Sequence, residues 1–217
     1  MSLLDFARGP ALHWALFIFI AGILWRLLGT LFLLRKRDLS KPKGSGLWLA
    51  GLRTILNRSI VAKPFRRQTL YQVVLGYVFH IGLFVVILLF VPHIEFFRAL
   101  LDFSWPGLPN DLVMIAGTLS LVALVALLVK RLTSPVQKMI SNADDYVSWL
   151  VTALPLATGL MAYAHLGGRY ETILALHILS VEALMIWFPF GKLMHAILVF
   201  PSRGEIGATY QRKGVKI

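Results

Sequence analysis

The chain has 217 residues, of which 58% are hydrophobic and only 15% are charged, and its mean hydropathy is +0.74. A soluble globular chain is about half apolar and a quarter charged, so this composition excludes an ordinary soluble domain and indicates an integral membrane protein. The chain has no cysteine, which excludes disulfides, thiolate ligation of zinc or iron–sulfur clusters, and covalent attachment of c-type haem.

Five stretches are apolar and long enough for a helix of about 20 residues, the length that crosses a bilayer core of ~30 Å. We therefore expect an all-α fold, a bundle of five transmembrane helices that forms a single membrane domain over residues 1–217. The first stretch is too long for a signal peptide and contains Arg26, so we interpret it as a retained span. Capping and acidic residues predict helix starts at Asn110-Asp111 and at 142–145. The predicted spans are residues 11–34, 69–91, 112–132, 146–164 and 171–200.

The chain has a net charge of +12, and its Lys and Arg residues lie almost entirely in segments on one side of the five spans. Ten Lys and Arg residues lie in a basic loop, residues 35–68, three follow between the third and fourth spans, and four follow the fifth. The opposite side has only Arg8, Arg98 and Arg169. The positive-inside rule then predicts an outer N-terminus and a cytoplasmic C-terminus in a multi-pass protein of a bacterial-type inner membrane. One-sided charge favours anionic lipid or a cytoplasmic partner over nucleic acid.

The basic loop contains the sequence LWLAGLRTILNR, in which five apolar residues recur at helical spacing beside Arg53 and Arg58. This pattern predicts a short amphipathic helix at the membrane interface. A solvated loop with one amphipathic turn explains the pattern equally well. The apolar residues are Leu47, Leu49, Leu52, Ile55 and Leu56.

Three histidines lie within the apolar spans. His177 and His195 are five whole turns apart if the fifth span is one regular helix, which places them on one face and about 27 Å apart. His80 lies halfway along the second span, which runs antiparallel to the fifth, so His80 can approach His195. Gly76 and Gly82 flank His80 and would let a flat macrocycle lie close to the backbone. Imidazoles at two depths, with another on a neighbouring helix, are typical of axial ligation of b-type haem.

The same residues are compatible with roles that involve no haem. A lone histidine in a span is more often a hydrogen-bonded packing residue, and His13, His93 and His165 lie at span ends, where polar rings are tolerated. Zinc is disfavoured because the sequence has no cysteine and no His-Glu-x-x-His arrangement. A proton-coupled transporter or channel could use the histidines with Glu182 and Arg26. A cofactor-free membrane anchor of a peripheral enzyme would need none of them.

Two cations and one acid accompany the histidines in the spans. Arg26 lies on the inner half of the first span, and Lys192 lies one turn before His195. Both are placed to neutralise haem propionates near the cytoplasmic surface, although snorkelling to the interface also accounts for them. Glu182 lies near the centre of the fifth span, where it would be protonated, paired with a base or part of a proton path.

Several segments resemble a known family. LHILSVEALMIWFPFGKLMH, in the fifth span, is similar to the last span of respiratory nitrate reductase gamma subunits, which are five-helix dihaem cytochromes b. FHIG, residues 79–82, resembles the second-helix haem motif of that family. KRLTSPVQKMISNADDYVSWLVTALPLATGL resembles the connection between its third and fourth helices. The similarity covers most of the chain, from about residue 68 to residue 200.

The resemblance implies a function and a set of ligands. It implies a membrane subunit of a respiratory oxidoreductase that relays electrons between quinone or quinol and a partner redox subunit, such as an iron–sulfur protein on the basic cytoplasmic face. It assigns His80 and His195 to b-type haem near the cytoplasm and His177 to one side of an outer haem.

The second ligand of the outer haem is where this sequence departs from the family. The family's ligand falls ten residues after the first histidine, at Phe90, and phenylalanine cannot bind iron. The nearest substitute is His93, which a regular helix turns roughly 220° away from the first histidine. A kink or unwinding at Pro92 would be needed to turn it back. His13 and His165 are the alternatives on the outer side.

Overall fold

A computed structural model describes residues 1–32 and 39–215, and every regular element in that part of the chain is helical. Five helices are long and apolar enough to span a membrane, so the predicted five-span fold is confirmed. The last two residues of the predicted first span, and Arg35, Lys36, Arg37 and Lys216 of the basic segments, lie outside the described residues. The five membrane helices are Leu3–Phe32, Lys63–Leu89, Asn110–Thr133, Ala143–Tyr163 and Tyr170–Trp187.

Ten α-helices are described, several of them separated by short breaks. They are α1 (Leu3–Phe6), α2 (Leu12–Phe32), α3 (Leu47–Asn57), α4 (Arg66–Leu89), α5 (Val91–Leu101), α6 (Asn110–Thr133), α7 (Pro135–Ile140), α8 (Ala143–Tyr163), α9 (Tyr170–Trp187) and α10 (His195–Arg212).

The first span begins earlier than the predicted residue 11. A π-helical turn, Ala7–Ala11, joins α1 to α2 and contains Pro10. A proline cannot donate to the regular helical ladder, and the wider π-turn carries the chain past it. The first span is therefore 30 residues long.

The predicted helix starts are confirmed at both places. α6 begins at Asn110. Before α8, the Asn142 side chain accepts from the backbone of Asp145, and the Asp145 carboxylate accepts from the backbone N–H of Asn142 at 3.0 Å. This reciprocal capping fixes the first turn of α8, which lies beside the candidate site.

The fifth span departs from the expected single helix over 171–200. α9 ends at Trp187, a turn covers 188–190, Gly191 is extended, and a 3-10 turn at Lys192–Met194 leads into α10. Pro189 explains the interruption, because it lacks the N–H that would continue the ladder and its ring clashes with the preceding turn. The prediction that His177 and His195 share one face of a regular helix, 27 Å apart, is therefore wrong.

The spans pack through small side chains and leave most of their apolar surface exposed for lipid. α4 packs on α6, α6 on α8, α8 on α9, and α9 on α2. A Cβ added at Gly82 would lie 2.5 Å from the Ala116 carbonyl oxygen, and one at Gly22 would lie 2.5 Å from Cγ of Pro189. Close backbone approach at glycine is a common means of packing membrane helices. Only a small buried apolar cluster forms between α4, α6 and α8: Phe79, Ala123, Leu124, Ala153 and Leu156.

Candidate functional site

The structure brings four of the six histidines together as two pairs. In the first pair the ring centroids of His80 and His195 are 6.1 Å apart, with an interplanar angle of 85°. In the second pair those of His93 and His177 are also 6.1 Å apart, with an angle of 14°. Each pair joins the α4–α5 segment to the α9–α10 segment. We refer to them as the first and second pair.

His80 is oriented by its own helix and by α6. Its Nδ1 donates to the carbonyl of Gly76, one turn earlier, at 2.6 Å. A carbonyl only accepts, so this bond places the proton on Nδ1 and leaves the lone pair on Nε2. The hydroxyl of Ser120 on α6 donates to the Phe79 carbonyl at 2.7 Å, which fixes the backbone beside His80.

Only one of the two predicted glycines has open space beside it. A Cβ at Gly76 would meet nothing within 4 Å, as a site for a flat group requires. Gly82 instead lies against Ala116 and Ser120 of α6. The expected role of Gly82 in admitting a macrocycle is therefore wrong, because its missing Cβ is used for helix packing.

His195 is held by the break between α9 and α10. Its Nδ1 donates to the carbonyl of Lys192 at 2.8 Å. The backbone N–H of Lys192 in turn donates to both carboxylate oxygens of Asp144, at 3.1 and 3.2 Å. The first turn of α8 therefore positions the residues that lead into His195. We call this arrangement the α8 clamp, formed by Asp144, Asp145, Ser148, Trp187 and Lys192.

The rest of the α8 clamp consists of charged and polar contacts. Ser148 donates to Asp144 at 2.8 Å and accepts from the indole N–H of Trp187 at 3.0 Å. A Cβ at Gly191 would lie 2.9 Å from Oδ1 of Asp144 and still closer to the Trp187 indole nitrogen, so only glycine fits in this turn.

His93 is re-aimed by a break in the helix, as the sequence required. α4 ends at Leu89, Phe90 is extended with φ −83° and ψ 123°, and α5 begins at Val91 with Pro92 in its first turn. The Nδ1 of His93 donates to the Val86 carbonyl at 2.7 Å, so the imidazole itself caps the end of α4.

Two further carbonyls freed by this break also find donors. The indole N–H of Trp105 donates to Leu88 at 2.5 Å, and the backbone N–H of Leu108 donates to Leu89 at 2.9 Å. An unpaired carbonyl is costly at membrane depth, so these bonds stabilise the break that presents His93. Phe90 lies edge-on to the His93 ring, with centroids 5.2 Å apart.

His177 is held by side chains of α8. Thr158 donates its hydroxyl proton to the Leu154 carbonyl at 2.7 Å, so its oxygen acts as the acceptor for Nδ1–H of His177 at 3.3 Å. The oxygen of Ser180 lies 3.1 Å from that of Thr158. A Cβ at Gly159 would lie 3.0 Å from Cε1 of His177, so the ring lies directly against the backbone of α8.

The backbones on either side of the pairs stay apart. α4 packs on α6, while α9 packs on α8 and α2. Over residues 1–32 and 39–215, neither α4 nor α5 is closely packed against α9 or α10. The facing imidazoles therefore come from two walls of the bundle that are supported by different helices.

His93 lies beyond the second span and is partly buried. Burial lowers the pKa of His93 below its ordinary value of 6.5, and the hydrogen bond to the Val86 carbonyl acts in the opposite direction with a smaller effect. The imidazole is therefore neutral at pH 7, which is the form that binds a metal.

The other predicted residues lie apart from the pairs. His13 and His165 are exposed, and the ring of His165 contacts Tyr170 instead, with centroids 5.1 Å apart. Arg26 is exposed on α2. Lys192 donates to Asp145 at 2.5 Å and to Asn142 at 3.2 Å, so its ammonium group is already used in the α8 clamp. The placement of Lys192 beside a haem propionate stays a prediction, and a propionate there would share the ammonium group with Asp145.

Glu182 is buried on α9, with 4% of its surface exposed. Its Oε1 atom has no hydrogen-bond partner among the residues that the structure describes. An unpartnered buried carboxylate is costly, so Glu182 is a candidate for a functional role in its own right.

Sequence reasoning missed the residues that hold the paired histidines. The second pair is held by Thr158, Ser180 and Gly159. The sequence signal for these residues is weak, because it consists of small and hydroxyl residues inside apolar spans. Asp144 was noted only as an acidic residue at a helix start, and its contact with Lys192 is made 48 residues away in the chain.

Comparison with known proteins gives a relative but no function. No protein-family model matches the chain. The chain is 30% identical over 215 residues to a protein of Nitratidesulfovibrio vulgaris strain Hildenborough, and the match covers 96% of this chain and 93% of the relative. That relative is described only as "Protein", which names no ligand or reaction. By this similarity over nearly its whole length, the chain belongs to the same family as the Nitratidesulfovibrio protein.

Proposed function

We propose that the chain is the b-type haem membrane subunit of a respiratory oxidoreductase complex, relaying electrons between the quinone pool and a partner redox subunit. The observation that carries this proposal is the occurrence of two facing imidazole pairs between the same two segments, α4–α5 and α9–α10, each with ring centroids 6.1 Å apart. The resemblance of the fifth span to nitrate reductase gamma subunits supports the same function.

The spacing of the rings fits an axial pair. Two metal–nitrogen bonds of about 2 Å and two ring radii of about 1 Å add to about 6 Å, which is the separation found in both pairs. A set of two ligands is what a macrocycle requires, since it supplies the other four itself.

The hydrogen bonds of the rings fit the same role. Nδ1 donates to a carbonyl in His80, His93 and His195 and to a hydroxyl in His177, so the lone pair of each ring is left on Nε2. Such outer-shell bonds fix the tautomer of a ligating histidine and increase its basicity.

Haem would supply a one-electron carrier at each pair. The chain itself sets the depth of the two ligand pairs, because nine residues of α4, about 14 Å of helix, follow His80 before the break that leads to His93. The first pair lies at the end of the bundle that carries α3 and α10, and the second pair lies at the other end.

The distribution of charge suggests an orientation for this relay. The positive-inside rule would put the end with α3 and α10 in the cytoplasm, so that the first pair is the one nearer the inner surface of a bacterial-type inner membrane and the second pair is the one nearer the outer surface. A partner redox subunit, such as an iron–sulfur protein, would then dock on the basic cytoplasmic face. Quinone would exchange electrons from within the bilayer.

One observation favours a second candidate function. The unpartnered carboxylate of Glu182, buried between the levels of the two pairs, is also suited to a proton path in a small transporter or channel. In that case the purified protein would be colourless and would move protons in liposomes without a redox donor.

The experiment that separates these functions uses the full chain purified in detergent. We expect a b-type difference spectrum on reduction, haem that acidic acetone extracts because it is not covalently bound, and reduction of the same bands by a short-chain quinol. A colourless protein would reject the proposal. A coloured protein that quinol fails to reduce would retain the haem assignment and reject quinone as the redox partner.

A further inference from the structure

The short helix α3, Leu47–Asn57, has two unlike faces. Its small residues, Gly51 and Thr54, are buried, whereas Trp48, Leu49 and Leu56 are 77%, 68% and 71% exposed. A helix of a soluble domain turns its large apolar side chains inwards. The exposed fractions of these side chains are similar to those on the outer surface of the spans, such as Trp25, which is 78% exposed.

The small face of α3 is occupied by α10. A Cβ at Gly51 would lie 2.9 Å from the carbonyl oxygen of Gly204, and one at Gly207 would lie 2.6 Å from that of Ala50. This glycine seam, formed by Gly51, Gly204 and Gly207, brings the two backbones into contact. The apolar face of α3 is therefore held pointing away from α10.

Hydrogen bonds at both ends of α3 prevent the helix from rotating about its axis. The backbone N–H of Lys43 donates to the Arg212 carbonyl at 2.8 Å, ahead of α3. After α3, Arg203 donates to the hydroxyl of Ser59 at 3.1 Å, and the Tyr77 hydroxyl donates to the Ser59 carbonyl. Tyr77 lies eleven residues into α4, about 16 Å along the helix, so the end of α3 lies beside a membrane span and not out in water.

The segment that contains this face carries only positive charge. Residues 39–67 contain seven Lys and Arg and no Asp or Glu. A groove of about 240 Å³ between the end of α3 and α4 is apolar along Ile60, Val61 and Leu70 and has Arg66 on its rim. An apolar surface bordered by cations at the edge of a membrane span complements the acyl chains and anionic headgroups of a lipid leaflet.

We infer that α3 and α10 form a membrane-surface unit, with the apolar face of α3 inserted into an anionic lipid leaflet and the cations of residues 53–67 against its headgroups. Lipid chains fill the groove beside α4. The glycine seam fixes the insertion angle, and Tyr77 couples the unit to the helix that carries His80. This inference is independent of haem and holds for any function of the bundle.

Spin labels test the inference, because a chain without cysteine accepts them one site at a time. Leu49→Cys and Leu56→Cys report on the apolar face, Asn57→Cys on the polar edge of the same helix, and Leu119→Cys on the outer surface of α6, where 53% of the side chain is exposed. The labelled full-length chain is reconstituted into phosphatidylcholine vesicles with and without phosphatidylglycerol. Relaxation by oxygen and by a water-soluble nickel complex is then compared.

We expect labels at positions 49 and 56 to match the label at 119, with an oxygen-to-nickel ratio several-fold above that at 57. We also expect phosphatidylglycerol to raise the oxygen-to-nickel ratio at positions 49 and 56. The double substitution Arg53→Gln and Arg58→Gln should abolish this increase. If the nickel complex reached the labels at 49 and 56 as readily as the label at 57 in both kinds of vesicle, the inference would be overturned. If the labels at 49 and 56 were protected from nickel only after a protein partner was added, the apolar face would belong to that partner and not to lipid. Equal ratios with and without phosphatidylglycerol would overturn the anionic assignment.

Discussion

The two histidine pairs are built by the same rule from opposite walls of the bundle. Each pair combines one histidine from within a helix, His80 or His177, with one that follows a break in the other wall, His195 or His93. Two walls that each contain one break in the helix can thus place facing histidines at two depths. A regular helix would turn His93 roughly 220° away from His80, so the break at Phe90 is essential to the second pair.

The pairs differ in what supports them. The first pair depends on the ionic α8 clamp, in which Asp144 binds the backbone of Lys192, and His195 itself is exposed. The second pair is supported by close packing, with His177 against Gly159 and His93 against the end of α4. Charged support at one end and packed support at the other should make the two sites sensitive to different substitutions.

The largest effect is expected from removal of a ligand. His195→Ala should remove the haem of the first pair alone, and His177→Ala or His93→Ala that of the second pair alone, because each pair has only two ligands. Haem content and the reduced spectrum of each purified variant measure this. His13→Ala and His165→Ala are the controls, since both rings are exposed and outside the pairs. Retention of both haems in His93→Ala would contradict its assignment.

A packing change should affect the second pair next most strongly. A methyl group added by Gly159→Ala would lie 3.0 Å from the His177 ring, and overpacking of this kind costs about 1–3 kcal/mol. We expect weakened haem retention at the second pair only, followed by spectral titration with haem. The matched control is Gly29→Ala on α2, where an added Cβ meets nothing within 4 Å. Equal losses of haem from both pairs would show that the two pairs do not have separate structural supports.

An electrostatic change should weaken the first pair to a smaller extent. Asp144→Ala removes the acceptor of the Lys192 N–H, one bond beyond the carbonyl that holds His195, so the affinity of the first pair should fall by no more than about tenfold, the lower end of the effect of losing a direct outer-shell partner. The same haem titration measures the loss at the first pair. Asp5→Ala serves as the control, because Asp5 also lies in the first turn of a helix and accepts a backbone N–H, but from Ser2 on α1 and not from the segment that leads into His195. An unchanged first site would show that the α8 clamp does not position His195.

The smallest effect is expected at Glu182, between the pairs. Glu182→Gln keeps the shape of the side chain and removes a buried carboxyl group whose Oε1 has no partner in the described structure, so the melting temperature should be unchanged or higher. Thermal unfolding of the purified variant, beside the exposed control Glu171→Gln, measures this. A large fall in melting temperature, or loss of proton movement in liposomes, would favour the proton-path function.

The sequence was sufficient for the five spans, because long apolar runs have few alternatives in a bilayer. It also indicated that only a break near Pro92 could aim His93 inwards, and the extended Phe90 provides that break. It was misleading at the fifth span, where the apolar run continues across Pro189 although the helix does not. The supporting contacts of Thr158, Gly159 and Asp144 were not predictable, because they join segments that are distant in the chain.

The central claim is that both imidazole pairs hold haem, and the most direct test is the amount of haem bound per polypeptide. The full chain is purified after expression with adequate haem supply, and haem is determined as its pyridine complex against protein mass. We expect two haems per chain. A value of one would contradict the assignment of one pair, and a chain that binds none would contradict the proposed function as a whole.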